Sequence, residues 1–207
     1  MSKAALRIGL DFDNTIIRYD DVFVAAAIER GLVPHGFSGG KQAVRDAIRL
    51  LPDGELDWQR LQGHVYGKAI GGAVAFNGLD NFLRRARAAG ATVLVISHKT
   101  EFGHFDPDRV NLRTAALTWM EAQGFFAPDG FALGRTDIHF ATTRTEKLAR
   151  IRALRCDVFV DDLEEVLTDP EFPEGVTRIL LSEHAEQDGH PYRVCRSWHA
   201  IEQAVFG

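Results

Sequence analysis

The sequence predicts an α/β fold in which helices cover both faces of a mostly parallel sheet, with one helical insert. Two observations predict this fold. Short apolar segments alternate with helical patterns along most of the chain, which favours parallel strands joined by crossover helices. The exception is residues 18–77, which show helical patterns and no clear strand. That stretch is too long to be a single crossover connection, so we interpret it as an insert.

Five segments are predicted to be strands. The strongest are Ala91–Ser97 and Asp157–Asp161, because a continuous apolar, β-branched run is typical of a strand covered on both faces. The other three segments are shorter or weaker. They are Leu6–Asp11, Ile138–Ala141 and Thr177–Leu181.

Helical patterns separate these strands. Leu79–Ala89 and Arg109–Gln123 are each followed by a glycine, the residue that most readily ends a helix. Further helices are predicted over Arg144–Leu154 and Ser197–Val205. Together with the strands, they give the three layers of the predicted fold.

The insert is predicted to be a small helical cap. We expect it to span residues 18–77, with residues 1–17 and 78–207 forming the α/β core. Its three helical stretches are separated by segments that contain proline and glycine. They are Asp21–Arg30, Gly40–Leu51 and Leu56–Tyr66.

Composition excludes several classes of function. The chain has 207 residues, 24 of them basic and 29 acidic, which gives a net charge of −5. This balance argues against a nucleic-acid partner. Two cysteines cannot form the disulfide framework of a secreted protein, and the first residues do not resemble a signal peptide. No apolar run approaches the roughly 20 residues of a membrane span. We therefore expect a cytoplasmic protein without a membrane partner, and the oligomeric state stays open.

Two acidic pairs lie at the ends of predicted strands. Asp11 and Asp13 end or follow the first strand, and Asp161 and Asp162 stand at the end of a later one. Residues two apart in an extended segment point the same way. The carboxyl ends of parallel strands meet at the sheet edge where ligands of open α/β sheets bind. So much negative charge requires protons or a cation, and oxygen ligands favour Mg²⁺.

Two further side chains extend this pattern. Ser97 ends a strong strand, and Lys147 lies near the start of a predicted helix. A nucleophilic carboxylate, a magnesium site, a hydroxyl and an ammonium are the groups needed to hold and attack a phosphate. Each residue alone has an ordinary explanation, such as a turn former, a loop hydroxyl or a solvated lysine. Their combination beside strand ends favours a phosphate site.

The order of these motifs resembles the haloacid dehalogenase (HAD) superfamily, in its phosphatase branch. The resemblance implies a three-layer, Rossmann-like (HAD-like) core, and the insert resembles the small helical type-one cap. The motifs are Asp-x-Asp-x-Thr after the first strand, a strand ending in serine, a lysine before the fourth strand, and a strand ending in paired acids. They are matched by Asp11, Asp13 and Thr15, by Ser97, by Lys147, and by Asp161 and Asp162.

The resemblance implies a Mg²⁺-dependent phosphatase that acts through an aspartyl-phosphate. Asp11 would be the nucleophile and Asp13 the general acid and base. Ser97 would bind a phosphoryl oxygen, and Lys147 would neutralise charge on the phosphoryl group. The dehalogenase branch lacks the second aspartate and needs no metal, so Asp13 argues against it. The implied magnesium ligands are Asp11, the backbone carbonyl of Asp13, Asp161 and, directly or through water, Asp162.

Substrate contacts are expected in the loops that follow the first and second motifs. Asn14, Thr15, His98 and Lys99 are the candidates, although Thr15 is also expected to support its own loop. The expected partner is a small phosphorylated metabolite, with nucleoside monophosphates as the second choice. The sequence leaves open a phosphotransferase or mutase on the same fold. It also leaves open a non-enzymatic regulator that only stores phosphate.

Overall fold

A computed structural model describes residues 5–185 and 189–207. Within them the strands are, in chain order, β1 (Arg7–Leu10), β2 (Ile17–Arg18), β3 (Val74–Ala75), β4 (Thr92–His98), β5 (Ile138–Ala141), β6 (Val158–Asp161), β7 (Thr177–Leu181) and β8 (Arg193–Cys195). The helices are α1 (Asp20–Glu29), α2 (Lys41–Ile48), α3 (Gly54–Tyr66), α4 (Leu79–Ala88), α5 (Leu112–Ala122), α6 (Arg144–Ala153), α7 (Glu164–Leu167) and α8 (Trp198–Phe206). Two short 3₁₀ helices cover Ile70–Gly72 and Arg135–Asp137.

Six strands form one sheet in the order β5–β4–β1–β6–β7–β8. The neighbouring strands in this sheet run parallel. The predicted α/β class with a parallel sheet and flanking helices is therefore confirmed. Strands β2 and β3 form a separate two-stranded sheet.

The centre of the large sheet is apolar on both faces. Strands β1, β4 and β6 contribute fully buried side chains such as Leu10, Val95 and Phe159. Gly9 in β1 lies against the Phe159 ring, because a Cβ built on Gly9 would be 2.5 Å from the nearest ring carbon. The absence of a side chain on Gly9 therefore leaves room for the Phe159 ring of the neighbouring strand.

The chain divides into two compact units. The first consists of Met1–Ile17, Ala75–Lys99 and Gly124–Gly207, and it contains the six-stranded sheet. The second consists of Arg18–Val74 and Thr100–Gln123, and it contains α1, α2, α3 and α5.

This division differs from the predicted one in the placement of Thr100–Gln123. We expected those residues in the core, because the α5 pattern is typical of an ordinary crossover helix. In the structure α5 packs on α3, and the Trp119 indole Nε1 donates a hydrogen bond to the Ala73 carbonyl at 3.0 Å. These contacts place α5 in the helical unit.

The helical unit has a core of its own. The rings of Phe23 and Trp58 stack with their centroids 5.1 Å apart, and Tyr19 meets Tyr66 edge-on at 4.9 Å. Phe23, Trp58 and Tyr19 are buried. None of the helices in the described residues has both the length and the apolarity to cross a membrane.

Most predicted elements are present, with their ends displaced by a few residues. Helix α5 begins at Leu112 rather than Arg109, because the Asn111 side chain accepts a hydrogen bond from the Thr114 amide at 2.9 Å and caps the helix. Strand β8 and the two-residue strands β2 and β3 were not predicted.

Candidate active site

The predicted acids of the first and fourth motifs lie at the carboxyl edge of the parallel sheet. Strand β1 lies between β4 and β6, and Leu10, its last residue, is in register with Val95 and Val160. The chain then continues to Asp11, whose amide donates to the Val160 carbonyl at 2.9 Å. Because Asp161 is the last residue of β6, the sheet register brings these two acids to the same edge.

A buried lysine joins Asp11 to Asp161. The Lys147 Nζ donates to Asp11 Oδ1 and to Asp161 Oδ2, each at 2.6 Å. Lys147 is 2 % exposed, Asp11 5 % and Asp161 0 %. Lys147 lies in α6, Asp11 follows β1 and Asp161 ends β6. The contact therefore forms only when these three elements are packed together.

The start of α6 fixes the place of Lys147. The Thr143 side chain accepts from the Glu146 amide at 3.1 Å, and the Glu146 carboxylate accepts from the Thr142 amide at 2.7 Å. These two hydrogen bonds fix the chain where the helix begins. Lys147 follows directly in that turn, with its amide bonded to the Thr143 carbonyl at 3.0 Å.

Burial controls the charges at this edge. It raises the pKa of Asp11 to about 8, Lys147 acts in the opposite direction, and Asp161 and Asp162 raise the pKa further. For Lys147, burial alone lowers the pKa, but Asp11 and Asp161 outweigh it and raise the pKa above its usual value. Lys147 therefore does not fully offset the cluster of three acids, so the pKa of Asp11 stays raised and the site retains an affinity for positive charge.

Three carboxylates could hold a metal ion. Asp11, Asp161 and Asp162 each offer an oxygen, and these oxygens all lie within 4.8 Å of one another. The Leu163 amide donates to Asp161 Oδ1 at 3.0 Å and orients that carboxylate. Such an all-oxygen donor set fits a hard divalent cation.

Two buried hydroxyl groups lie in the second-motif strand and the first-motif loop. Ser97 in β4 is 1 % exposed and Thr15 is 0 % exposed. In the part of the chain that the structure describes, neither hydroxyl oxygen has a hydrogen-bond partner. Buried polar groups are rarely left in this state. The Ser97 hydroxyl is therefore able to donate to a ligand oxygen.

Asp13 is bound to a second buried lysine. The Lys99 Nζ donates to Asp13 Oδ1 at 3.0 Å and to Oδ2 at 2.8 Å. The Lys99 side chain is 1 % exposed and that of Asp13 20 %. Lys99 was predicted to contact substrate. In the structure its ammonium binds the second aspartate of the first motif, and the predicted substrate contact stays a prediction.

Asn14 and His98 have structural contacts. Asn14 adopts a left-handed backbone conformation at φ 57°, which asparagine tolerates better than most residues. Its amide donates to the Ile17 carbonyl at 2.9 Å and closes the turn after the first motif. His98 is exposed, and its Nε2 lies 2.9 Å from the Thr142 carbonyl oxygen. Their predicted substrate contacts stay predictions.

Two aromatic residues that were not predicted from the sequence lie beside the lysines. The Lys99 ammonium lies 5.5 Å from the centroid of the Phe12 ring, and the Lys147 ammonium lies 5.5 Å from that of Phe159. Aromatic faces attract cations at such distances. The sequence does contain an aromatic residue in each acidic motif. Phe12 directly precedes Asp13, and Phe159 lies two positions before Asp161.

Comparison with solved structures identifies the fold as haloacid dehalogenase-like. A haloacid dehalogenase-like hydrolase from Streptococcus pneumoniae aligns with a TM-score of 0.62 at 12 % identity, over 97 % of this chain and 98 % of that one. A phosphoserine phosphohydrolase-like protein from Francisella tularensis aligns at 0.56 and 12 %, over 97 % and 99 %. An L-2-haloacid dehalogenase aligns at 0.56 and 14 %, over 99 % and 100 %. No family model and no curated protein matches the sequence.

Proposed function

We propose that this protein is a Mg²⁺-dependent phosphohydrolase that cleaves a small phosphomonoester through an aspartyl-phosphate on Asp11. The observation that carries the proposal is the buried bridge from Asp11 through Lys147 to Asp161. The bridge holds a nucleophilic carboxylate beside a fixed positive charge, with further acids available for a cation. These are the requirements of phosphoryl transfer to a carboxylate.

The proposed reaction has two steps. An oxygen of Asp11 forms a bond to phosphorus, the bond from phosphorus to the alkoxide breaks, and Asp13 gives a proton to the departing oxygen. Asp13 then takes a proton from water, whose oxygen attacks phosphorus and releases phosphate and free Asp11. Lys147 offsets negative charge on the phosphoryl oxygens, and the Ser97 hydroxyl donates a hydrogen bond to one of them.

The acids fit the magnesium ion that this chemistry needs. Asp11, Asp161 and Asp162, with the backbone carbonyl of Asp13, would hold it. When bound, Mg²⁺ supplies positive charge that polarises the phosphoryl group and orients it toward Asp11.

The HAD-like fold also occurs in a dehalogenase, so the phosphatase assignment depends on the site. A departing halide needs no proton, whereas a departing alkoxide does. Asp13 supplies a proton-transfer group, and the three clustered carboxylates suit a cation. Both features therefore favour the phosphomonoester.

A panel of small phosphomonoesters tests the proposal by phosphate release. We expect release with Mg²⁺, loss with EDTA and recovery when Mg²⁺ is restored. Asp11→Asn should abolish turnover because an amide is a poor nucleophile. The exposed Asp129 provides a matched control, and Asp129→Asn should keep the wild-type rate. Full activity of Asp11→Asn, or release unaffected by EDTA, would contradict the proposal.

Product analysis separates the remaining alternatives. A phosphotransferase or mutase would phosphorylate an added acceptor alcohol instead of releasing phosphate. A regulator that only stores phosphate would stop after one equivalent. We expect many turnovers with phosphate as the product.

A further inference from the structure

Lys99 is rigidly held. It directly follows the end of β4, and its amide donates to the Ala141 carbonyl at 2.9 Å, so its backbone continues the pairing with β5. Its ammonium is buried, lies beside the Phe12 ring, and bonds both carboxylate oxygens of Asp13. The donor in this ion pair is therefore fixed by the sheet.

Asp13 lies on a less regular segment. It follows β1 and precedes the left-handed Asn14, and its side chain is 20 % exposed. A partly exposed aspartate has several accessible rotamers. Two hydrogen bonds from one buried donor select a single orientation. Displacement of a reacting group by about 1 Å can cost roughly 10²-fold in rate, so this selection matters for proton transfer.

We propose that Lys99 is a positioning residue that holds the Asp13 carboxylate where it exchanges protons with the leaving group and with water. The inference rests on the proposed function, because it assigns a role toward the proposed general acid and base. Lys99 also balances the charge that Asp13 carries after it has given its proton to the leaving group.

Direct binding of substrate by Lys99 is the competing explanation. A substrate anion would have to replace Asp13 on an ammonium whose side chain is 1 % exposed. The two explanations differ in kinetics. Loss of a substrate contact raises KM, whereas misplacement of Asp13 lowers kcat and leaves KM nearly unchanged.

The first experiment compares Lys99→Met with wild type on an alkyl phosphate and on 4-nitrophenyl phosphate, by rapid-quench measurement of phosphoenzyme formation. The nitrophenolate leaves without a proton, whereas the alkoxide needs Asp13. We expect Lys99→Met to slow the alkyl reaction by about tenfold or more, and the aryl reaction much less. Lys99→Arg, which keeps a cationic donor, should recover part of the alkyl rate. Arg49→Met, which breaks the exposed ion pair with Glu55, should behave as wild type.

A double-mutant cycle tests whether Lys99 acts through Asp13. In an Asp13→Asn background, Lys99→Met should change the alkyl rate by less than about twofold, because the group that it positions is already lost. If circular dichroism shows that Lys99→Met does not fold, Lys99→Gln replaces it, since its side-chain amide is still a hydrogen-bond donor. We expect Lys99→Gln to give the same leaving-group pattern with a smaller amplitude.

The outcomes separate the inference from the proposed function. Wild-type protein that releases no phosphate from any ester would overturn the proposed function and with it this role. Active wild type with a raised KM and unchanged kcat in Lys99→Met would overturn the positioning role alone. Equal slowing of alkyl and aryl substrates, or equal slowing in the Asp13→Asn background, would also overturn that role alone.

Discussion

Two lysines of the sheet unit place ammonium groups inside the protein. Lys99 and Lys147 are each 2 % exposed, and a buried charge is stable only when other charges and hydrogen bonds replace its water. Asp13 provides the opposite charge and the hydrogen bonds for Lys99. Asp11 and Asp161 provide them for Lys147. The same carboxylates thus serve both the stability of the core and the proposed chemistry.

Cys156 shows an effect of burial that nearby charges do not cancel. It is 5 % exposed. Burial raises the pKa of its thiol from 9.0 to about 11, Arg7 lowers it, and Asp157 raises it. Since the folded-state pKa lies above the unfolded value, the thiol stabilises the fold below pH 9. That contribution should fall as pH rises from 9 through about 11.

Urea unfolding of wild type and Cys156→Ala across this pH range measures the thiol effect. We expect the difference in unfolding free energy between the two proteins to shift against wild type as pH rises. The comparison removes the contributions of other titrating groups, including Cys195. A difference that stays constant from pH 8 to pH 11 would contradict the assigned pKa.

At the residue scale, the sequence predicted which residues gather at the carboxyl edge better than it predicted their contacts. Asp11 and Asp161 follow from strand ends, because a parallel sheet brings those ends together. The partner of Lys99 could not be predicted, because the direction of a side chain just beyond a strand end depends on the loop that follows. The sequence also gave no sign that the Thr15 hydroxyl would lack a hydrogen-bond partner among the described residues.

At the element scale, β1 both positions Asp11 and packs closely on a neighbouring strand. It carries Asp11 at its end, and it packs closely against β6, where the Phe159 ring occupies the space that a Gly9 side chain would need. Gly9→Ala would force the ring or the strand to move. We expect a loss of about 1–3 kcal/mol in unfolding free energy, as in other overpacked cores.

Chemical denaturation measures this loss, with Gly71→Ala as the matched control. A Cβ on Gly71 meets no atom within 4 Å, so this second variant should change stability little. Equal stability of Gly9→Ala and Gly71→Ala would contradict the close packing of β1 against the Phe159 ring.

The elements themselves were predictable where they are long or strongly apolar. β4 and β6 are buried along nearly their whole length, so their apolar runs are clear in the sequence. β8 has three residues, too few to show a strand period. The membership of α5 in the helical unit depends on tertiary contacts such as that from Trp119, which the helical pattern does not encode.

At the scale of the whole molecule, a cation at the acidic edge should stabilise the fold. A ligand that binds only the native state raises stability with its concentration, by about 2.7 kcal/mol at one hundred times its dissociation constant. We expect Mg²⁺ to raise the melting temperature of wild type in a concentration-dependent way. The rise should be lost in Asp161→Asn, which removes a charged oxygen from the cluster.

Differential scanning calorimetry measures this shift. Asp129→Asn lowers the acidic charge by the same amount at an exposed position that is not part of the cluster, so it should respond to Mg²⁺ as wild type does. Equal responses of Asp161→Asn and Asp129→Asn would show that Mg²⁺ acts through general charge screening, contrary to a site at these acids.

The fold class followed from the alternation of strands and helices, since few architectures satisfy that order. The substrate did not follow, because selectivity depends on the shape and charge of loops. Asn14, His98 and Lys99 have defined contacts within the protein, to the Ile17 carbonyl, the Thr142 carbonyl and the Asp13 carboxylate. Their predicted substrate contacts stay predictions.

In the proposed reaction Asp11 forms the covalent intermediate. The most direct test is acid quenching of enzyme with an active phosphomonoester, followed by borohydride reduction and peptide mass spectrometry. Reduction converts an aspartyl-phosphate to homoserine, and we expect homoserine at position 11, absent without substrate and absent in Asp11→Asn. Phosphate release with homoserine at another acid, or with none at any acid, would contradict the account.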